Sequence, residues 1–293
     1  MKLYAIGDLH LSYEYNKKAL EELEPHPDDG LILCGDIGEK DEQLEFAFGL
    51  ATRNFRQVFW CPGNHELYTI ASSRPDLRGE LKYQHCVAVA RKHGVHTPED
   101  PFVRWDGDGG PALVAPVFTL YDYSFRPDNV SRDAALAWAE EADTVATDEF
   151  LLHPDPHGSR DDWCRALVAR FEHRLATENP DRLPLVIVNH WPLRQDLVYI
   201  PRVPRFSLWC GTKATEDWHT RFGAKVVVSG HLHVPRTDWK AGVRFEECSL
   251  GYPRQWEDVR AVGKNINDLL REILPGPPPP PSGEAEMKWR RYG

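Results

Sequence analysis

Five short segments carry residue types that bind divalent metal ions: Gly7-Asp8-Leu9-His10, Gly35-Asp36-Ile37-Gly38, Gly63-Asn64-His65-Glu66, Asn189-His190-Trp191 and Gly230-His231-Leu232-His233. Carboxylate, imidazole and amide oxygen together suit ions such as Mn, Fe or Zn. An all-oxygen set would point to Mg or Ca, and a thiolate set to structural Zn. The pair His231 and His233 has the i, i+2 spacing that projects both side chains to one side of an extended chain. Asp8 and His10 can face one ion from a loop. Any one segment is weak by itself, because an Asp after a strand is commonly a turn former. His231 and His233 alone could be edge-strand histidines. Five segments in order are harder to explain that way.

The elements that must position these residues come from the apolar pattern. Runs at 2–6, 30–34, 58–60, 112–117, 185–188, 225–229 and 243–248 predict strands. Helix-like stretches lie at 13–23, 41–53, 80–93, 133–147, 161–177 and 215–222. Strands alternating with helices predict a layered α/β fold. Each of the five segments closely follows a predicted strand, and the carboxyl ends of strands in α/β sheets gather on one edge. Two loops, 118–131 and 191–211, are long enough to be binding walls. The expected organisation is one domain over 1–274, then a Pro-rich and charged tail over 275–293.

The ordered set resembles the calcineurin-like metallophosphoesterase superfamily, whose pattern is D-x-H, G-D, G-N-H-[DE], H and G-H-x-H. The resemblance spans roughly residues 2–250. It implies a four-layer α/β/β/α sandwich of two mixed sheets with metals at the sheet edge. It implies that Asp8, His10, Asp36 and His233 hold one metal, and that Asn64, His190 and His231 complete a second site sharing Asp36. Two divalent ions are expected, Mn or Fe first, with Zn, Ni and Co compatible.

The resemblance further implies that a metal-bridged hydroxide attacks phosphorus. His65 would be the catalytic histidine facing the leaving oxygen, with Glu39 as its carboxylate partner and Glu66 as the alternative. One departure stands out: protein-phosphatase members continue the second motif as Asp-Arg-Gly, and this chain reads Glu39-Lys40-Asp41. A phosphate-binding cation must then come from elsewhere. Arg194, Arg202 and Arg205 are the candidates, since guanidinium forks suit phosphate oxygens. Aromatic residues of the two loops, Tyr123 among them, are candidates for substrate contact.

The chain has 293 residues and a net charge of −10. An acidic balance argues against a nucleic-acid partner. The apolar runs are far shorter than a membrane span. Six scattered cysteines and no secretory segment at Met1 predict reduced thiols and a cytoplasmic protein. The expected substrate is the phosphomonoester of a small metabolite or nucleotide. The alternative is a phosphodiester, cyclic or otherwise. A protein-phosphatase role is disfavoured by the altered second motif. A non-catalytic protein of the same fold would have lost a ligand, and none is lost. A second copy of the chain is a compatible partner.

Overall fold

The computed structural model describes residues 1–71, 74–282 and 285–289, the last five as backbone. Its strands are β1 (Leu3–Ile6), β2 (His26–Cys34), β3 (Phe55–Cys61), β4 (Val103–Trp105), β5 (Ala112–Pro116), β6 (Leu185–Val188), β7 (Ala224–Ser229), β8 (Arg236–Lys240), β9 (Val243–Glu247), β10 (Arg271–Leu274) and β11 (Ala285–Trp289). Helices that matter below are α1 (Glu14–Glu21), α2 (Asp41–Asn54), α3 (Asn64–Leu67), α4 (Gly79–Lys92), α5 (Ala135–Glu140), α6 (Asp148–Leu151), α7 (Arg160–Thr177) and α8 (Trp218–Arg221).

The strands form two mixed sheets. One runs β10-β1-β2-β3, and the other runs β11-β8-β9-β7-β6-β5-β4. The central pairs β1–β2, β2–β3, β5–β6, β6–β7 and β7–β9 are parallel, whereas β10 and β4 pair antiparallel at sheet edges. The parallel strands are apolar on both faces because both faces are covered. Residues of one parity, such as Ile32, Phe59, Val114, Val188 and Val228, form a dry layer between the sheets. Residues of the other parity, such as Leu33, Trp60, Ile187 and Val227, join Phe48, Tyr83 and Phe171 in an outer core. Helix α2 packs on β2 and β3, and α8 packs on β7. This is the expected four-layer sandwich.

The sheets are joined where the site lies. Gly7, just past β1, donates its N–H to the Cys248 carbonyl at 2.9 Å, and Leu250 donates back to Gly7 at 2.8 Å. Three features differ from expectation. The helix expected over 133–147 ends at Glu140, because Asp143 turns the chain with a φ of 50°. Strands β8 and β10, RTDWK and REIL, break the apolar pattern with charged residues and pair at or beside sheet edges, although Ile273 and Leu274 of β10 join the layer between the sheets. Beyond the expected boundary at 274, β11 pairs antiparallel with β8. Positions 283–284 and 290–293 of the expected tail lie outside the described residues. No helix among the described residues is long and apolar enough to cross a membrane.

Candidate metal centre

The loops after β1, β2 and β3 bring Asp8, His10, Asp36, Asn64 and His65 from one sheet. The loops after β6 and β7 bring His190, His231 and His233 from the other. Five of these residues have left-handed backbone: Asp8 (φ 52°), His10 (44°), Asp36 (52°), His231 (72°) and His233 (55°). That conformation is uncommon outside glycine and costs on the order of 1–3 kcal/mol per residue, so the surroundings must enforce it. They do. Asp8 N–H donates to Gly35 O and His10 N–H to Asp36 O, each at 2.9 Å, locking the first two loops together. Glycine is required at position 63, where a methyl group would collide with the Asp36 carboxylate.

Donor atoms fall into two groups. Asp8, His10, Asp36 and His233 form one; Asp36, His190 and His231 form the other, and within each group the donor atoms lie within 4.8 Å of one another. Asp36 belongs to both. Asn64 Oδ1, His190 Nε2 and His231 Nε2 are buried with no hydrogen-bond partner among the described residues. Buried polar atoms without a partner are each costly in a protein interior, and the two imidazoles share a donor group with the Asp36 carboxylate. They fit a pair of divalent cations. Burial also holds the His10 and His231 imidazoles well below their usual range, in the neutral form a metal ligand needs.

Outer contacts aim each ligand. His190 Nδ1 donates to the Cys34 carbonyl at 2.8 Å, which leaves Nε2 as the lone-pair nitrogen. His233 Nδ1 bonds Gln255 Oε1 at 2.8 Å. Asp8 accepts from His231 N–H at 3.0 Å and from Ser249 Oγ at 2.7 Å, a tie between the two sheets.

His65 stands apart from the ligands. Its Nδ1 lies 3.0 Å from Glu39 Oε1, and its Nε2 lies 3.9 Å from Asp36 Oδ2. Burial opposes the charged imidazole, but the Asp36 carboxylate and the Glu39 hydrogen bond outweigh it and raise His65 to about 9. Bound dications would act in the opposite sense. Glu66, the alternative partner, is placed otherwise. It is fully buried and accepts the N–H groups of Asp36 (3.0 Å), Ile37 (2.8 Å) and Gly63 (2.8 Å). It builds the ligand loops instead of serving His65.

A cleft of about 310 Å³ opens over Asp36, Asn64, His65, His231 and His233. Its walls include Val145, Ile200, Val203, Phe206, Leu232, Tyr68 and Tyr252. Neither Lys nor Arg lines it among the described residues. The structure does not bring the sequence-selected substrate residues into this cleft. Arg194 forks onto Asp196 at 2.9 Å. Arg205 pairs with Glu141 at 2.9 Å and stacks on Trp138. Arg202 is exposed on the loop that carries Ile200 and Val203. Tyr123 is buried, its hydroxyl 2.8 Å from Glu149 and 3.0 Å from Arg160. Of the loop aromatics, Phe206 does reach the cleft.

Sequence reasoning missed Tyr68, Asp148, Ser249, Tyr252 and Gln255. Tyr68 had a faint signal, four residues after Asn64 and so one helical turn away. Tyr252 stacks on His10 with ring centroids 4.5 Å apart, and nothing in its local sequence marks it.

The family model for calcineurin-like phosphoesterases matches residues 1–235. The chain is 46% identical over 278 residues to the [acyl-carrier-protein] phosphodiesterase PptH of Mycobacterium tuberculosis, covering 94% of this chain and 84% of the relative. The crystal structure of the phosphopantetheinyl hydrolase PptH from the same organism superposes with a TM-score of 0.86 at 45% identity, covering 94% of this chain and 96% of that one.

Proposed function

This chain belongs to the calcineurin-like phosphoesterase family, a family of metal-dependent phosphoric ester hydrolases, and from that premise we propose that it cleaves a phosphodiester. The diester we propose joins phosphopantetheine to a hydroxyl side chain of a carrier protein. The observation that carries this reading is the 46% identity, over nearly the whole chain, to a relative named for that activity. Of the two ester classes open from sequence, the diester therefore takes the place of the small-metabolite monoester. The substrate group is then protein-bound.

The cleft supports the same choice. A phosphomonoester carries up to two negative charges near neutral pH, and a diester carries one. A wall without Lys or Arg suits the smaller charge, and its apolar side chains suit a second organic substituent.

Asp8, His10, Asp36 and His233 would hold one divalent ion, and Asp36, Asn64, His190 and His231 the other, with Mn or Fe favoured by the mixed nitrogen and oxygen donors. When bound, such ions neutralise charge on phosphate oxygens and make water acidic enough to attack at neutral pH. The chain supplies the rest. His65 holds a proton beside the cleft, steadied by Glu39, where a departing alkoxide needs one. Val145, Ile200, Val203 and Phe206 line the cleft and offer apolar contact to an organic substituent. The bond from phosphorus to the carrier oxygen breaks, water supplies the new oxygen and releases a proton to solvent, and the alkoxide takes the His65 proton, which solvent then restores.

The test incubates the Mn-loaded chain with a phosphopantetheinylated carrier protein and follows the carrier's mass. Bis-p-nitrophenyl phosphate and p-nitrophenyl phosphate run in parallel. Loss of the phosphopantetheine mass, with diester preferred over monoester, is the expected result. An intact carrier together with faster monoester turnover overturns the reading.

A further inference from the structure

Asn64 can serve a metal only through Oδ1, because its Nδ2 group is a donor. Something must therefore choose which end of the amide is left for a cation, and rotation by half a turn would put two N–H bonds there. Three groups make that choice. Asn64 Nδ2 donates to Tyr68 Oη at 2.9 Å and to Asp148 Oδ1 at 3.0 Å, and Tyr68 Oη donates to the same Asp148 oxygen at 2.7 Å. The Tyr68 proton is thus committed to Asp148, which leaves the hydroxyl as an acceptor toward Asn64. A carboxylate only accepts. Both neighbours of the amide are acceptors, so the NH₂ end must turn to them and Oδ1 must turn away. Asn64 Oδ1 is the buried orphan of the pair.

Asp148 is held in place for this task. It is 2% exposed and opens the one-turn helix α6. Arg160 Nη2 donates to the Asp148 carbonyl at 2.8 Å, and Arg160 Nε donates to the Leu152 carbonyl at 2.9 Å. We propose that Asp148 is a positioning residue that, with Tyr68, fixes the Asn64 amide with its oxygen toward the second metal site. This rests on Asn64 being a ligand of that site.

The experiment titrates Mn(II) into the full metal-free chain by calorimetry and resolves two equivalents. Asp148→Ala weakens the equivalent bound through Asn64 by about 10–100-fold, the range seen for outer-shell partners. It leaves the other equivalent, on Asp8, His10, Asp36 and His233, within about twofold. Asp148→Asn, which keeps an acceptor oxygen, recovers part of the loss. Asn64→Ala weakens the same equivalent, and the Asn64→Ala/Asp148→Ala double variant is no weaker than Asn64→Ala alone. An unchanged second equivalent in Asp148→Ala, or losses that add in the double variant, overturns the proposal. An unchanged second equivalent in Asn64→Ala shows instead that the ligand assignment has failed, and the proposal falls with it. If Asp148→Ala misfolds and loses both equivalents, Tyr68→Phe decides: it must weaken the second equivalent alone, and loss at both or neither overturns the proposal.

Discussion

Glu39 Oε1 lies 3.0 Å from His65 Nδ1, on the side of the ring away from Asp36. The contact pairs a half-buried carboxylate with the one cleft histidine that belongs to neither donor group. A carboxylate partner favours the imidazolium, and it is one of the charges that raise His65. Glu39→Gln keeps an acceptor oxygen but removes the charge, so the His65 pKa falls. If the protonated ring is the active form, the alkaline limb of kcat/KM moves to lower pH. Metal acts on both proteins alike, so the shift is read as a difference between two Mn-loaded enzymes. Turnover drops about 10-fold for Glu39→Gln, and by about 10²–10⁴ for His65→Ala. A limb that stays in place counts against the proton-donor role.

Asp36 is the residue the two donor groups have in common. Asp36→Ala should therefore bind neither ion tightly, whereas His65→Ala should bind both. Metal content after gel filtration, measured by plasma mass spectrometry, checks this. Equal content in the two variants counts against the shared position of Asp36.

Most of the fold was legible in sequence, and so were the Asp and His residues that the structure gathers into two donor groups, for a common reason. Parallel strands covered on both faces must be short apolar runs, and the turn after each carries the polar residues. Asp8, Asp36, His190 and His231 sit at such turns, so pattern alone locates them. What stayed hidden depends on contacts between distant segments. Tyr252 meets His10 across more than two hundred residues of chain, and Asp148 meets Asn64 from a segment that reads as the end of a helix. Arg194 and Arg205 were selected for their chemistry, yet each has a nearby carboxylate that takes its charge. Sequence types state what a side chain can bind, and only packing states what is nearer.

Glu66 is a buried carboxylate whose three donors are backbone N–H groups of two ligand loops. Glu66→Gln replaces one acceptor oxygen by an NH₂ that faces those donors. An unsatisfied buried donor costs about 1–3 kcal/mol, and here at least one is created. Urea unfolding of the metal-free chain should show a loss of at least about 1 kcal/mol. Because Asp36 and Gly63 are the anchored residues, metal affinity should fall as well. Unchanged stability would mean that water takes the place of the lost acceptor.

Tyr123 separates a substrate role from a structural one. Its hydroxyl lies 2.8 Å from Glu149 Oε1, which also accepts the Trp209 indole N–H at 2.8 Å, and Arg160 Nη1 reaches Glu149 Oε2 at 2.9 Å. Arg132 covers the Tyr123 ring, 3.8 Å from its centroid. These contacts tie both long loops to α6, and so to Asp148. Tyr123→Phe removes two hydrogen bonds, the one donated to Glu149 and the one accepted from Arg160, and keeps the ring, at a cost of about 1–3 kcal/mol in stability. KM for the diester should stay within about twofold, since the hydroxyl does not line the cleft. Arg160→Met leaves the half-buried Glu149 without its cation, a loss of about 1–3 kcal/mol for a hydrogen bond to a charged group. It should also weaken the Mn equivalent held through Asn64, because Arg160 anchors α6. Thermal unfolding and Mn titration on the two variants read these effects separately. A raised KM with unchanged stability in Tyr123→Phe would return this tyrosine to the substrate.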